Sequence, residues 1–98
     1  MTAEAIVQIP YPSAELAENI EFSSTTDYGK FTFNFKYFND RWNLWVTLPD
    51  GSKRQAGVNP NVINWSGSSD YGLVFKSALQ TIGYSELFET ELYLLKWQ

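Results

Sequence analysis

The feature of this chain that most constrains its fold is a strict two-residue alternation between Lys30 and Leu48. The first half alternates aromatic with polar side chains: Phe31, Phe33, Phe35 and Tyr37 against Lys30, Thr32, Asn34 and Lys36. Successive side chains of a β-strand point to opposite faces of the sheet, so this pattern predicts a half-buried strand. The second half begins at Arg41, alternates in the same way and predicts the return strand of a hairpin.

A turn at Asn39-Asp40 joins these two strands, and both residue types tolerate the left-handed backbone conformation that tight hairpin turns require. The length of this turn fixes which residues lie opposite each other. The predicted cross-strand pairs are Tyr37 with Trp42, Phe35 with Leu44, Phe33 with Val46 and Phe31 with Leu48. Every pair is apolar, and a shift of one residue would break them all.

Shorter stretches predict further strands over residues 6–9, 19–26, 53–58 and 91–97, with turn residues at 26–29 and 48–52. Together they predict a mainly β fold, a small antiparallel sandwich or partly open barrel built on a β-meander. Residues 1–98 are expected to form a single domain. Strands 6–9 and 53–58 are the candidate edge strands. Both faces of strand 91–97 are largely apolar, which predicts a strand that is central or covered on both sides.

The segment between residues 68 and 83 fits two structures. An apolar set with helical spacing is present: Tyr71, Val74, Phe75, Ala78 and Ile82. Gly83 would end such a helix. Residues 72–75 could equally form a short strand. Of the two, we expect one short helix near 70–82.

Composition excludes several kinds of chemistry. The chain has no cysteine and no histidine, and its formal net charge is −4 at pH 7. Disulfides, thiolate zinc sites and serine–histidine–aspartate catalysis are therefore excluded, and an acidic chain is a poor match for nucleic acid. The acidic spacing of a calcium loop is missing, and Glu86, Glu89 and Glu91 are interpreted as a solvated rim. We expect no enzyme activity, no cofactor and no metal.

No apolar run approaches the roughly 20 residues of a membrane helix, so no membrane partner is expected. Residues 1–9 lack the basic and apolar regions of a secretory signal. The missing signal and the missing cysteines together favour synthesis in a reducing cytoplasm.

Several aromatic and basic side chains are left over for contacts with other molecules. The hairpin pattern places Phe38 and Trp45 on the face opposite the main apolar set. Either another segment covers this face, or Lys36 lies over the Trp45 indole, or the face contacts a partner or a sugar. The candidate contact residues are Trp45, Phe38, Trp65, Trp97, Lys36 and Arg41.

The order of these segments resembles a known family. The segments that carry the likeness are Ile6-Val7-Gln8-Ile9-Pro10, the aromatic strand 31–37, Asn39-Asp40-Arg41-Trp42, the turn Pro49-Asp50-Gly51, and a closing Glu91-Leu92-Tyr93-Leu94-Leu95. They resemble the small β-domain family of bacteriophage tails, typified by the plug protein of a cyanophage baseplate. The likeness spans nearly the whole chain. Residues 66–84 depart from it, because the family tends to have a short strand and glycines where this chain has a helix-like pattern.

The resemblance implies a non-enzymatic structural protein of the phage tail or baseplate, made in the bacterial cytoplasm and delivered in the virion. Its implied partners are other tail proteins, and a homo-oligomer is a further expectation. Two alternatives stay open. One is a carbohydrate-binding module that stacks sugars on Trp45, Trp65, Trp97 and Tyr71. The other is a small inhibitor of a host protein, whose acidic charge suits a basic target.

Overall fold

The computed structural model describes residues 3–64 and 70–97. This part of the chain contains seven strands and one short 3₁₀ helix. The strands are β1 (Ala3–Ile9), β2 (Asn19–Thr26), β3 (Gly29–Phe38), β4 (Arg41–Thr47), β5 (Lys53–Ala56), β6 (Tyr71–Lys76) and β7 (Glu91–Trp97), and the helix spans Tyr84–Glu89. The strands form two antiparallel sheets, of order β2-β3-β4-β5 and β1-β7-β6. The predicted mainly β fold is confirmed as two sheets and not as a closed barrel, and the larger sheet is a meander.

The central hairpin has the predicted register. Tyr37 pairs with Trp42, Phe35 with Leu44 and Phe33 with Val46. The ladder ends at the pair of Thr32 and Thr47, so the predicted pairing of Phe31 with Leu48 lies beyond it. Asn39 and Asp40 have φ angles of 55° and 58°, the left-handed conformation of a two-residue hairpin turn.

The remaining strands follow the predictions closely. β2 and β7 have the predicted bounds, β1 begins three residues earlier, and β5 ends at Ala56 instead of residue 58. Both β1 and β5 lie at sheet edges, as expected. β7 is the central strand of the smaller sheet, with neighbours on both sides.

The inner faces of the two sheets pack into one apolar core. Its most deeply buried residues are Phe31, Phe33, Phe35, Leu44 and Val46 from the larger sheet and Ile9, Leu73, Phe75, Leu92 and Leu94 from the smaller one. Aromatic rings join the layers, since the ring centroids of Phe35 and Phe75 are 6.1 Å apart with planes at 79°. The β3–β4 hairpin therefore supplies five of these ten residues, and its Phe35 contacts Phe75 of the other sheet directly.

The predicted helix near 70–82 is wrong. Tyr71–Lys76 is strand β6, which pairs with β7 over its whole length. Helical spacing would place Val74 and Phe75 on one side, but Phe75 is fully buried and Val74 lies on the opposite face of the strand. The alternative of a strand over 72–75 is the correct one. β7 has apolar side chains on both faces, and pairing with β6 satisfies its second hydrogen-bonding edge.

Gly83 begins a helix and does not end one. Its backbone N–H donates to Glu86 Oε1 at 2.8 Å, and the 3₁₀ helix Tyr84–Glu89 follows. Trp42 Nε1 donates to Gly83 O at 3.0 Å, and the Trp42 and Tyr84 rings stack with centroids 5.6 Å apart. The short helix is thus attached to the hairpin of the larger sheet.

Tyr11 gives the fold a pH dependence that can be measured. It is partly buried against the core, its hydroxyl lies 2.6 Å from Thr90 Oγ1, and burial raises its pKa to about 12 against an ordinary value of 10.0. A raised folded-state pKa adds stability that is complete below pH 10 and is lost as the pH rises to 12. We expect this loss to reach about 2 kcal/mol by pH 12 in urea unfolding curves measured between pH 8 and 12.

Tyr11→Phe is the matched control, because phenylalanine fills the same space but does not ionise. We expect its unfolding free energy to fall less between pH 10 and 12 than that of the parent chain. If the unfolding free energies of the two proteins depend on pH in the same way, the loss of stability above pH 10 does not come from Tyr11.

Candidate functional site

The outer face of the three-stranded sheet is largely apolar. Leu92 and Leu94 of β7 point into the core, so Tyr93 and Leu95 between them point outward. The ladders place Ile6 and Gly72 on either side of Leu95, and Val74 opposite Tyr93. We call this surface, formed by Ile6, Ile63, Val74, Tyr93 and Leu95, the apolar face.

Parts of the apolar face are strongly exposed. Ile6 keeps 64% of its surface accessible and Ile63 keeps 56%. A groove of about 370 Å³ runs across the sheet here, lined by Ile6, Asn61, Val74, Lys76, Tyr93 and Leu95. Of the two exposed isoleucines, Ile6 lines this groove. A group of exposed apolar side chains, unlike a single one, is a candidate interaction surface.

Gly72 shapes one end of this face. A Cβ at Gly72 would lie 3.0 Å from Trp97 Cζ2 and 3.2 Å from Ile63 Cγ2. The glycine therefore allows the Trp97 ring and the Ile63 side chain to approach the strand backbone closely. Trp97 is partly buried by this contact, so it is one wall of the face and not a free ring.

Polar groups border the apolar face at its other end. Lys76 pairs with Glu91 across the β6–β7 ladder, and the Tyr93 hydroxyl donates to Glu91 Oε2 at 2.6 Å. That hydrogen bond, together with some burial and the charge of Glu91, raises the pKa of the Tyr93 hydroxyl. An apolar centre with a polar border is the usual composition of a protein–protein contact.

The outer face of the four-stranded sheet has a different chemistry. Polar side chains dominate it, and Trp45 lies among them opposite Asn34 and Gln55. Lys36 Nζ lies 5.5 Å from the centre of the Trp45 ring, as one of the sequence interpretations expected, and the Phe38 ring stacks near Trp45 at 6.4 Å. We call this group the Trp45 cluster.

The six predicted contact residues do not form one surface. Phe38, Lys36, Arg41 and Trp45 belong to the outer face of the four-stranded sheet. Trp97 lies on the three-stranded sheet, and Trp65 falls outside the described residues. Tyr71 packs its ring on the buried Phe31 at 5.0 Å, so Trp45 and Tyr71 are on different sheets and do not share a sugar-stacking strip.

The described residues contain no cluster of potential metal ligands. Within residues 3–64 and 70–97, no three acidic side chains come together as potential metal ligands. Two members of the predicted acidic rim already have partners, since Glu86 caps Gly83 and Glu91 accepts from Tyr93. No helix in the described ranges is long and apolar enough to span a bilayer.

Sequence reasoning missed the residues of the apolar face but contained a signal for them. Apolar residues on both faces of 91–97 indicated a strand that needs cover on two sides. The core covers one face. On the other face Ile6 and Ile63 stay exposed, Val74 and Tyr93 are partly buried, and Leu95 keeps 8% of its surface accessible. No protein-family model, curated protein or solved structure matches this chain.

Proposed function

We propose that this protein is a non-enzymatic structural subunit that acts through protein–protein contacts, with the apolar face as its contact surface. The observation that carries the proposal is the exposure of Ile6 and Ile63 on either side of the half-buried Val74 and Tyr93. Burying apolar surface against a neighbour releases about 25 cal/mol per Å², so a chain gains stability when this face is covered.

The bacteriophage tail or baseplate is the setting that we propose for this assembly. The segments that resemble the small β-domain family include β1, the β3–β4 hairpin and β7. Residues 71–76, where the helix-like pattern departed from that family, form a short strand containing Gly72, which is in keeping with the family pattern. The proposed partners are other tail proteins, and the proposed location is the virion.

Carbohydrate binding has weaker support. Lys36 already lies over the Trp45 ring, so a sugar would have to displace this cation before it could stack. Tyr71, which the carbohydrate alternative places beside Trp45, lies on the other sheet, and its ring contacts the core. A saturable change in tryptophan fluorescence on glycan titration, lost in Trp45→Ala, would favour the carbohydrate alternative.

The proposal predicts that a charge on the apolar face blocks incorporation into tails. Ile63→Asp places a carboxylate at a side chain that is 56% exposed, so folding is little affected while burial against a partner becomes costly. We expect the copy number per purified tail, measured by quantitative mass spectrometry, to fall by more than about tenfold.

Gln55→Asp is the matched control. It adds the same charge at an exposed position on the outer face of the four-stranded sheet, and it should leave the copy number unchanged. Absence of the parent protein from tails, or equal incorporation of Ile63→Asp, would overturn the proposed function.

A further inference from the structure

One hydrogen-bonding edge of β1 is unpaired in the part of the chain that the structure describes. β1 is the outermost strand of the order β1-β7-β6, and its pairing partners all belong to β7. No backbone hydrogen bond from another described segment reaches its second edge. A row of free N–H and C=O groups of this kind is a template for another strand.

Each of the other described strand edges is covered, short, or polar on its exposed face with at least one charge. The segment Pro60–Asn64 covers β6, because Asn61 N donates to Phe75 O at 2.8 Å and Asn64 N donates to Leu73 O at 2.9 Å. β5 has only four residues and includes Lys53 and Arg54, and β2 has Glu21 within it. Short length, charge and covering segments are the means by which proteins prevent strand addition.

β1 has none of these protections between Ala5 and Ile9. That stretch contains no charged residue and no proline, and Ile6 is its most exposed apolar side chain at 64%. Two copies of the chain, each with a net charge of −4, therefore have no charged side chains to bring together along this stretch. The edge is both accessible and electrically neutral.

The size of the apolar face argues against simple stacking of two copies. Three strands at their usual spacing are about 14 Å wide, and seven residues extend for about 20 Å. The resulting area of roughly 300 Å² is well below the roughly 800 Å² per partner of a standard stable interface. An edge that adds main-chain hydrogen bonds would compensate for this small area.

We propose that β1 pairs antiparallel with β1 of a second copy across a two-fold axis, joining two three-stranded sheets into one sheet of six strands. This inference rests on the proposed function. It identifies a second copy of the chain as the first partner of the subunit. A second copy fits because an antiparallel pair across a two-fold axis is self-complementary: each protomer offers the same edge that it needs to cover.

The alternation of side chains restricts the register. Directly opposite residues in an antiparallel pair share a face, so the apolar faces of both copies stay on one side of the joined sheet. A register centred on Ile6 brings the two Ile6 side chains together and places Ala5 of each protomer opposite Val7 of its partner. This register uses the regular part of β1, beyond the irregularity between Ala3 and Ala5, and we therefore favour it.

Light scattering after size exclusion tests the dimer on the full chain. We expect the parent protein to approach twice its mass of 11.3 kDa as concentration rises. Ile6→Lys brings two like charges together on the axis and should give a monomer at the same concentrations. Leu79→Lys makes the same kind of change at an exposed side chain away from β1 and should remain dimeric.

Cross-linking tests the register, and the absence of natural cysteines makes the result easy to interpret. Mild oxidation of Ile6→Cys should yield a covalent dimer, because opposite Cβ atoms in such a pair are about 4.5–5.5 Å apart. Gln8→Cys should not cross-link efficiently. A dimer that cross-links equally well through both variants, or through neither, would overturn the register.

The two proposals fail in different ways. A parent chain that stays monomeric at its highest soluble concentration overturns the β1 pairing, while loss of Ile63→Asp from tails would still support the structural role. A dimer that cross-links through Ile6→Cys but is absent from purified tails supports the pairing and overturns the proposed function.

Discussion

Replacing Phe35 with alanine is expected to lower the free energy of unfolding by about 3–5 kcal/mol. Phe35 has no exposed surface, and its ring contacts those of Phe22, Trp42 and Phe75 at centroid distances of 6.0, 6.3 and 6.1 Å. The substitution leaves a cavity at the point where the two sheets meet. Since small domains are stable by about 5–15 kcal/mol, this loss is a large share of the total stability. Urea unfolding followed by tryptophan fluorescence measures the effect.

Phe38→Ala is the control for this prediction. It removes the same group from the same strand at a position that is 46% exposed. Surface substitutions of this kind change stability by about 0.5 kcal/mol. Equal losses for the two variants would show that Phe35 does not join the sheets as described.

Asn64→Ala is expected to cost about 2–4 kcal/mol, because one buried amide organises the segment that covers β6. Asn64 is 6% exposed, and its Oδ1 accepts from Asn59 N at 2.9 Å and from Asn59 Nδ2 at 3.1 Å. Its Nδ2 donates to Asn59 O at 2.8 Å and to Val62 O at 2.9 Å. Alanine leaves these groups without their partner, and thermal unfolding monitored by circular dichroism measures the loss.

The Asn64 substitution also has a consequence for assembly. Loosening the segment Pro60–Asn64 uncovers the β6 edge, so this variant should aggregate sooner than the parent on mild heating, as measured by light scattering. Asn43→Ala is the matched control, because its amide is exposed and makes bonds of 3.3–3.5 Å near the hairpin turn. If both variants lose the same stability, the amide of Asn64 does not have the role described here.

The contrast between the two outer faces decides how the candidate site is interpreted. The sequence drew attention to aromatic residues, and the structure shows that most of them are occupied: Trp42 bonds to Gly83 O, Trp45 lies beside Lys36, and Trp97 packs on Gly72. The exposed apolar surface comes instead from aliphatic residues such as Ile6 and Ile63. Single exposed isoleucines give no signal in a sequence, because their significance depends on which neighbours fold next to them.

The sequence by itself determined the parts of this protein that depend on local contacts. Period-two alternation and the turn at Asn39-Asp40 specify the register of the β3–β4 hairpin, because neighbouring strands joined by a tight turn have one arrangement that buries every apolar pair. The bounds of β2 followed from alternation in the same way, and those of β7 followed from a largely apolar closing run.

Tertiary structure alone decided the state of residues 71–76 and the location of the candidate site. In isolation, the spacing of Tyr71, Val74 and Phe75 is compatible with a helix and with a strand. Pairing with β7 selects the strand. Likewise, Ile6, Ile63 and Val74 are far apart in sequence and become one surface only when β1, β7 and β6 align. Contacts between distant segments set both outcomes, and no short window of sequence contains them.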